Sequence, residues 1–461
     1  DQEGDTKLNG PTTGTPLARL TPAFMDTGDL DGDDFPDVIM MTERTPVNTS
    51  DLLYEGINFI PFFVYQTDSA PYVPLLSGSD SCLPVTQACF DEESCSASFG
   101  PDSGPIKAMV TGRFTFSNEY GVAWASATEF DPVLELATIG MTNWNSFPND
   151  AKCYEAPSAA TPIEEDEPWQ DIGHQGPNNT QLLTTIECNG DPYDDLIVAG
   201  LVTELDTTYT EIWVRQTTDQ AGPTFTTRKE IELLPGVGLP LSIKTTKFGG
   251  ISGIDGDAED FMLVFPKGLE FYEKVGGTCQ FRTSGEGGPI AYSASASSPI
   301  VDAVMQDLDS DGLAELIVAS AGRIDVAQGQ DVGSGEVELS WATPALQIPV
   351  EKSPPKAITI ADLNGDGELD ILTLMPSEKA VWVYPGLGTP YEFGSTPQPI
   401  RVGPNSTQFA VEDVNRDGCM DLLALSPTNK AVSLLKNRGG AQGACFEAPT
   451  VTYPGGKSAP K

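Results

Sequence analysis

Ala361-Asp362-Leu363-Asn364-Gly365-Asp366-Gly367-Glu368-Leu369-Asp370-Ile371-Leu372 places oxygen-bearing side chains at positions 1, 3, 5 and 9 of a short loop and follows them at once with apolar residues. The same frame returns four more times. Asp29, Asp31, Asp33 and Asp37 precede Val38-Ile39-Met40-Met41, and Glu187, Asn189, Asp191 and Asp195 precede Leu196-Ile197-Val198-Ala199. Asp307, Asp309, Asp311 and Glu315 form another copy, and Asp413, Asn415, Asp417 and Asp421 the last. Self-similarity at a period of tens of residues signals an architecture built by repetition.

Two wide gaps between these copies hold weaker ones. Arg113, Thr115, Ser117 and Gly121 keep the frame ahead of Val122-Ala123-Trp124-Ala125 but have lost the acids. Gly253, Asp255, Asp257 and Phe261 keep two acids ahead of Met262-Leu263-Val264-Phe265, with Asp260 one residue early. Seven units therefore start near residues 29, 113, 187, 253, 307, 362 and 413, and their spacing falls from 84 residues to 51 along the chain. Unit five shows the expected content: strands over Ile300 to Met305, Leu316 to Ser320, Arg323 to Ala327 and Glu338 to Trp341. Third strands are expected likewise at Phe62 to Gln66, Glu211 to Gln216, Leu269 to Glu273, Ala380 to Tyr384 and Ala431 to Leu435. Short β-branched and aromatic runs between Gly, Pro and Asn turns read as antiparallel strands, and four per repeat is the pattern of a propeller blade. The expected fold is all-β, one seven-bladed β-propeller over residues 17–461, with insertions near 68–105 and 141–176. Residues 1–16 are expected as an extension, either an added edge strand or an exchanged arm.

These D-x-[DN]-x-D-x-x-x-[DE] loops and their apolar followers resemble the FG-GAP/VCBS repeats, found also in the N-terminal propeller of integrin α chains and in some seven-bladed fungal lectins. The resemblance spans residues from about 17 to 455, and units two and four depart from it. It implies calcium bound in the five intact loops, with the position 7 carbonyl of Phe35, Tyr193, Leu313, Glu368 or Cys419 as a further ligand. The residues themselves point the same way, because alternate carboxylates wrap a hard divalent cation. An EF-hand is excluded: its loop closes with Glu at position 12, where this chain has Met40, Val198, Val318, Thr373 and Ala424. Five or more protein oxygens favour calcium over magnesium, which keeps its waters. About five calcium sites are expected, mainly in a stabilising role.

The charge balance narrows the partners. The 461 residues carry 67 Asp and Glu against 25 Lys and Arg, a net charge of −42 at pH 7. Phosphate backbones and anionic lipid need clustered cations, so no nucleic acid or membrane partner is expected. With 39% hydrophobic residues, 46 Gly and 38 Pro, the chain reads as turn-rich and folded. No run of 18 apolar residues offers a membrane span. Cys82, Cys89, Cys95, Cys153, Cys188, Cys279, Cys419 and Cys445 form no CxxC pattern, and His174 is the single histidine, which argues against zinc or haem. An even number of scattered cysteines suits disulfides in an oxidising compartment. Asn48, Asn178 and Asn405 are permissive for glycosylation.

The insertions are the natural place for recognition. Trp144 and Trp169 are candidate ligand contacts, in company with the acidic run Glu164-Glu165-Asp166-Glu167. Trp213 and Trp382 occupy matching third-strand positions and read as packing residues. With one histidine and neither a G-x-S-x-G elbow nor a P-loop, no catalytic constellation stands out. The expectation is a secreted or cell-surface binding or adhesion module for glycan or extracellular protein, copies of itself included. A structural subunit of an extracellular filament or surface assembly is the alternative, and a polysaccharide-active enzyme a further one.

Overall fold

The computed structural model describes most of residues 179–437, and outside that span the strands Thr21–Gly28, Asp37–Glu43, Phe62–Tyr65, Ile106–Gly112, Gly121–Ala127, Pro132–Thr138, Thr161–Pro162 and Thr450–Thr452 with a few flanking residues. Asp29, Asp31, Asp33, Thr115, Ser117, Asn415, both insertions with Trp144, Trp169 and His174, and residues 1–16 lie outside it.

The described strands form seven antiparallel sheets of three to five strands and one two-stranded hairpin. Each sheet holds one of the seven units. The second strand explains the apolar runs: Asp260–Phe265, Glu315–Ser320, Asp370–Met375 and Asp421–Ser426 are buried at every residue. A strand covered on both faces has no polar face to alternate with. Hydrophobic clusters sit between successive sheets. Ile317, Ile324 and Ile348 of unit five meet Ile371, Trp382 and Tyr384 of unit six, and Leu372 and Val383 of unit six meet Leu422 and Leu435 of unit seven. Met25 and Val38 of unit one meet Val414, Leu423 and Val432 of unit seven. First strands touch in the same cyclic order, ending with Gln408–Glu412 against Thr21–Gly28.

Third strands run at Phe62–Tyr65, Thr207–Thr217, Gly268–Lys274, Arg323–Ala327, Ala380–Tyr384 and Ala431–Leu435. The fourth strand expected in unit five is corrected. Val337–Leu339 pairs instead with Gly329–Asp331 as a separate hairpin, and Leu346–Pro349 takes the sheet edge. Ile348 and Val350 there are each 4% exposed and pack into the cluster shared with unit six. That buried apolar pair decides which segment joins the sheet. The frame of unit four also shifts: its second strand starts at Asp260, one residue before Phe261.

Candidate metal centre

In every intact copy the position 9 acid is the first residue of the second strand: Asp37, Asp195, Glu315, Asp370 and Asp421. The last four are at most 1% exposed. Their carboxylates clamp the loop. Asp370 accepts from the Leu363 amide at position 2 (3.1 Å) and from Gly386, just past the third strand (2.9 Å). Asp421 accepts from Asn437 N (2.7 Å) at the matching point, and Glu315 from Leu308 N at position 2 (2.8 Å). In unit four Asp260 accepts from Lys274 N (2.8 Å), so it holds the place that the sequence frame assigned to Phe261.

Positions 1, 3 and 5 cap turn amides. Asp362 accepts from Gly365, Asp366 and Gly367, and Asp413 from Asp417 and Gly418. Asn189 and Asn364 take the amide two residues on, as do Asp191, Asp366 and Asp417. Gly367 and Gly418 at position 6 have φ of 88° and 84°, a conformation that glycine adopts without steric cost. The position 6 amide thereby points back at the position 1 carboxylate.

Among the described residues, the loop of unit five gathers its anionic oxygens around a point. Oxygens of Asp307, Asp309 and Glu315 all lie within 4.8 Å of one another. Burial above all, and then the charges of Asp309 and Asp311, push Glu315 up to about 7. Burial with Asp366 and Asp362 pushes Asp370 up to about 6, and burial with Asp417 and Asp413 pushes Asp421 up to about 7. A donor set of hard oxygens whose ionisation is costly in isolation fits a divalent cation. Cys188, Asp195 and Cys279 form a second cluster, but the two sulfurs are joined as a disulfide and so offer no thiolate.

The neighbouring repeat holds each of three loops by a different chemistry, none of it visible in the loop motif. Cys279 of unit four bonds Cys188 at position 2 of the third loop. The Tyr391 hydroxyl of unit six stands 2.6 Å from Asp309 Oδ2 and 3.1 Å from Glu315 Oε1 of unit five. Asn437 Nδ2 of unit seven donates to Leu363 O of unit six (2.6 Å). Acids also reach backward: Asp194 accepts from Arg113 N (2.6 Å) and Glu259 from Glu187 N (3.0 Å).

The chain was compared with known proteins. No curated protein matches it. Among solved structures, a 6-phosphogluconolactonase candidate from Bacteroides uniformis ATCC 8492 is similar at 11% identity, with a TM-score of 0.47 over 90% of this chain and 97% of that one. The exotype rhamnogalacturonan lyase YesX follows at 14% identity and a TM-score of 0.39, over 93% of this chain and 65% of its own. A rhamnogalacturonan lyase from Bacillus licheniformis is similar at 10% identity and a TM-score of 0.37, over 95% and 73%. At these scores the likenesses bear on neither activity nor fold. The FG-GAP-like repeat model matches residues 307–373 and 362–424, the stretch with the intact loops of units five, six and seven. Residues 307–424 of this chain are FG-GAP-like repeats.

Proposed function

We propose that the chain is a calcium-stabilised seven-bladed β-propeller that serves as a secreted or cell-surface binding module for glycan or protein ligands. The reading is carried by the recurring loop geometry, in which a buried position 9 acid faces the carboxylates of positions 1 and 5 and is hard to ionise without a cation. The cyclic contact of first strands, with unit seven against unit one, supports the ring. Calcium would be held by Asp29, Asp31, Asp33 and Asp37 and by the corresponding side chains of the other four loops. A rigid ring cross-linked by ions would present its grooves and long loops in a fixed geometry, which lowers the ordering cost of binding.

At an affinity of about 10⁻⁴ M, millimolar calcium would contribute roughly 1.4 kcal/mol per site and about 7 kcal/mol over five. With an unfolding entropy of about 2.1 cal/mol/K per residue, the expected loss in chelator is about 7 °C in Tm. Calorimetry of the full chain in EDTA, in calcium and in magnesium tests this. Equal Tm in EDTA and calcium, or full restoration by magnesium, would refute the calcium assignment. Glycan-array and surface-capture experiments on the calcium-loaded chain test the binding role.

A further inference from the structure

Asp195 differs from the other position 9 acids in what faces it. Position 2 of the loop is Leu308 in unit five, Leu363 in unit six and Val414 in unit seven, but Cys188 in unit three. Cys279 reaches the same point from unit four, past the end of its third strand, Gly268–Lys274. Asp195 Oδ2 thereby lies 2.9 Å from Cys188 Sγ and 3.3 Å from Cys279 Sγ. Cys188 and Asp195 are 0% exposed and Cys279 2%, and the two cysteines share a hydrophobic cluster with Ile186, Ile197, Ile243 and Phe261. One ligand atom from each of the three lies within 4.8 Å of the others.

The chemistry of that point depends on the oxidation state of the sulfurs. A disulfide sulfur carries no proton, so in the oxidised chain neither sulfur has a hydrogen bond to give the buried carboxylate. Two thiolates and the same carboxylate instead make a donor set for a metal ion, and the ion offsets the cost of holding three anionic groups away from water.

We propose that, in the chain whose Cys188 and Cys279 are thiols, these two residues and Asp195 bind a zinc ion. The ion displaces the two thiol protons, and metal and disulfide exclude each other because both use the same sulfurs. Thiolates select zinc over calcium and magnesium, and the carboxylate oxygen selects it over Cu⁺. With Zn–S of about 2.3 Å and Zn–O of about 2.0–2.2 Å, tetrahedral neighbours stand roughly 3.5–3.8 Å apart, within an ångström of the sulfur–oxygen distances here. Three protein ligands leave the fourth position to a water from the loop side, where Asn189 and Asp191 are half-buried. Asp195 Oδ1 faces that side, 3.4 Å from Asn189 Nδ2, so one carboxylate joins the sulfur pair to the third loop. The site goes beyond the binding-module reading and does not depend on it. No CxxC spacing announces it, because 91 residues separate the two cysteines.

The test folds the full chain in calcium and a phosphine reductant, which keeps thiols reduced without the zinc affinity of a dithiol. X-ray absorption at the zinc edge needs no variant: a shell of two sulfurs and two oxygens is expected, and a shell of four sulfurs, or of oxygens alone, overturns the proposal. Co²⁺ in place of zinc is expected to give the charge-transfer band of a cobalt–thiolate bond, which added zinc removes. The oxidised chain should lack that band, and Cys279→Ser should lose it while Cys419→Ser keeps it. An equal band in Cys279→Ser would move the metal to other cysteines and overturn this site. A chain that forms the Cys188–Cys279 disulfide even in the reductant overturns it too, because the thiolates then never arise. None of these outcomes alters the calcium dependence of Tm in the oxidised chain, which tests the wider reading.

Discussion

Tyr391 has a backbone φ of 65°, a region that L side chains other than Asn and Asp seldom enter. The turn holds it there, and its phenol meets Asp309 and Glu315. Burial and the two carboxylates push its pKa far above the usual phenol range, so it stays protonated and donates. Tyr391→Phe removes that donor. Hydrogen bonds to charged groups contribute about 1.5–3 kcal/mol, and the expected result in EDTA is a Tm lower by about 2 °C. Calcium, if it neutralises the same carboxylates, should shrink the difference, and calorimetry of both proteins with and without calcium measures it. A difference equal in both buffers would separate Tyr391 from the ion. The acids at positions 1, 5 and 9 were legible from spacing alone because each serves its own loop. Tyr391 was not, since its partners lie 82 and 76 residues away and no local pattern records them.

Whole strands were more legible than the contacts between them. The third strands of units five, six and seven run over the residues expected, because β-branched runs between turn residues are a local signal. The sheet edge of unit five was misread, because an edge strand is selected by what it buries against the neighbouring sheet, here Ile348 and Val350. Unit four was misframed by one residue for a similar reason: Asp260 is identified by its bond to Lys274 N across the sheet, not by its distance from Asp255. The Cys188–Cys279 disulfide links two adjacent sheets across a separation of 91 residues. Closing a loop of that size limits the unfolded chain, and the typical gain is about 2–4 kcal/mol. Replacing both cysteines by serine is expected to lower Tm by about 3 °C. The third loop should also bind calcium more weakly, because Cys188 sits between Glu187 and Asn189. Calcium titration of the double variant against the parent measures this. An unchanged Tm would mean that the intact packing around Phe261 and Tyr272 already fixes the two sheets.

At the scale of the molecule, unit one joins the early repeats to the late ones, because its first strand touches both unit two and unit seven. Side chains make both joints. Met25 N donates to Gln408 Oε1 (2.8 Å) on one side. On the other, Asp26 Oδ2 accepts from the Thr111 amide (2.8 Å) and lies 2.9 Å from its hydroxyl. Burial raises Asp26 above the usual carboxylate range despite those bonds, and burial together with Asp26 raises Glu412 across the seam. A carboxyl whose folded pKa lies above its unfolded value favours the folded state most below the unfolded value, and that contribution is lost as pH rises through the folded one. The wild-type seam is therefore weakest at alkaline pH, where both acids are charged. Global repulsion at −42 also eases on acidification, so a pH profile of the wild type cannot isolate the seam. The difference from Asp26→Asn can. The amide keeps an oxygen for Thr111 and removes the buried charge, so the variant should melt up to a few degrees higher than wild type at about pH 8, and the two should converge near pH 4. Parallel profiles over that range would mean that Asp26 is solvated well enough to ionise freely, and that apolar contacts such as Met25 on Leu423 and Val432 hold the seam.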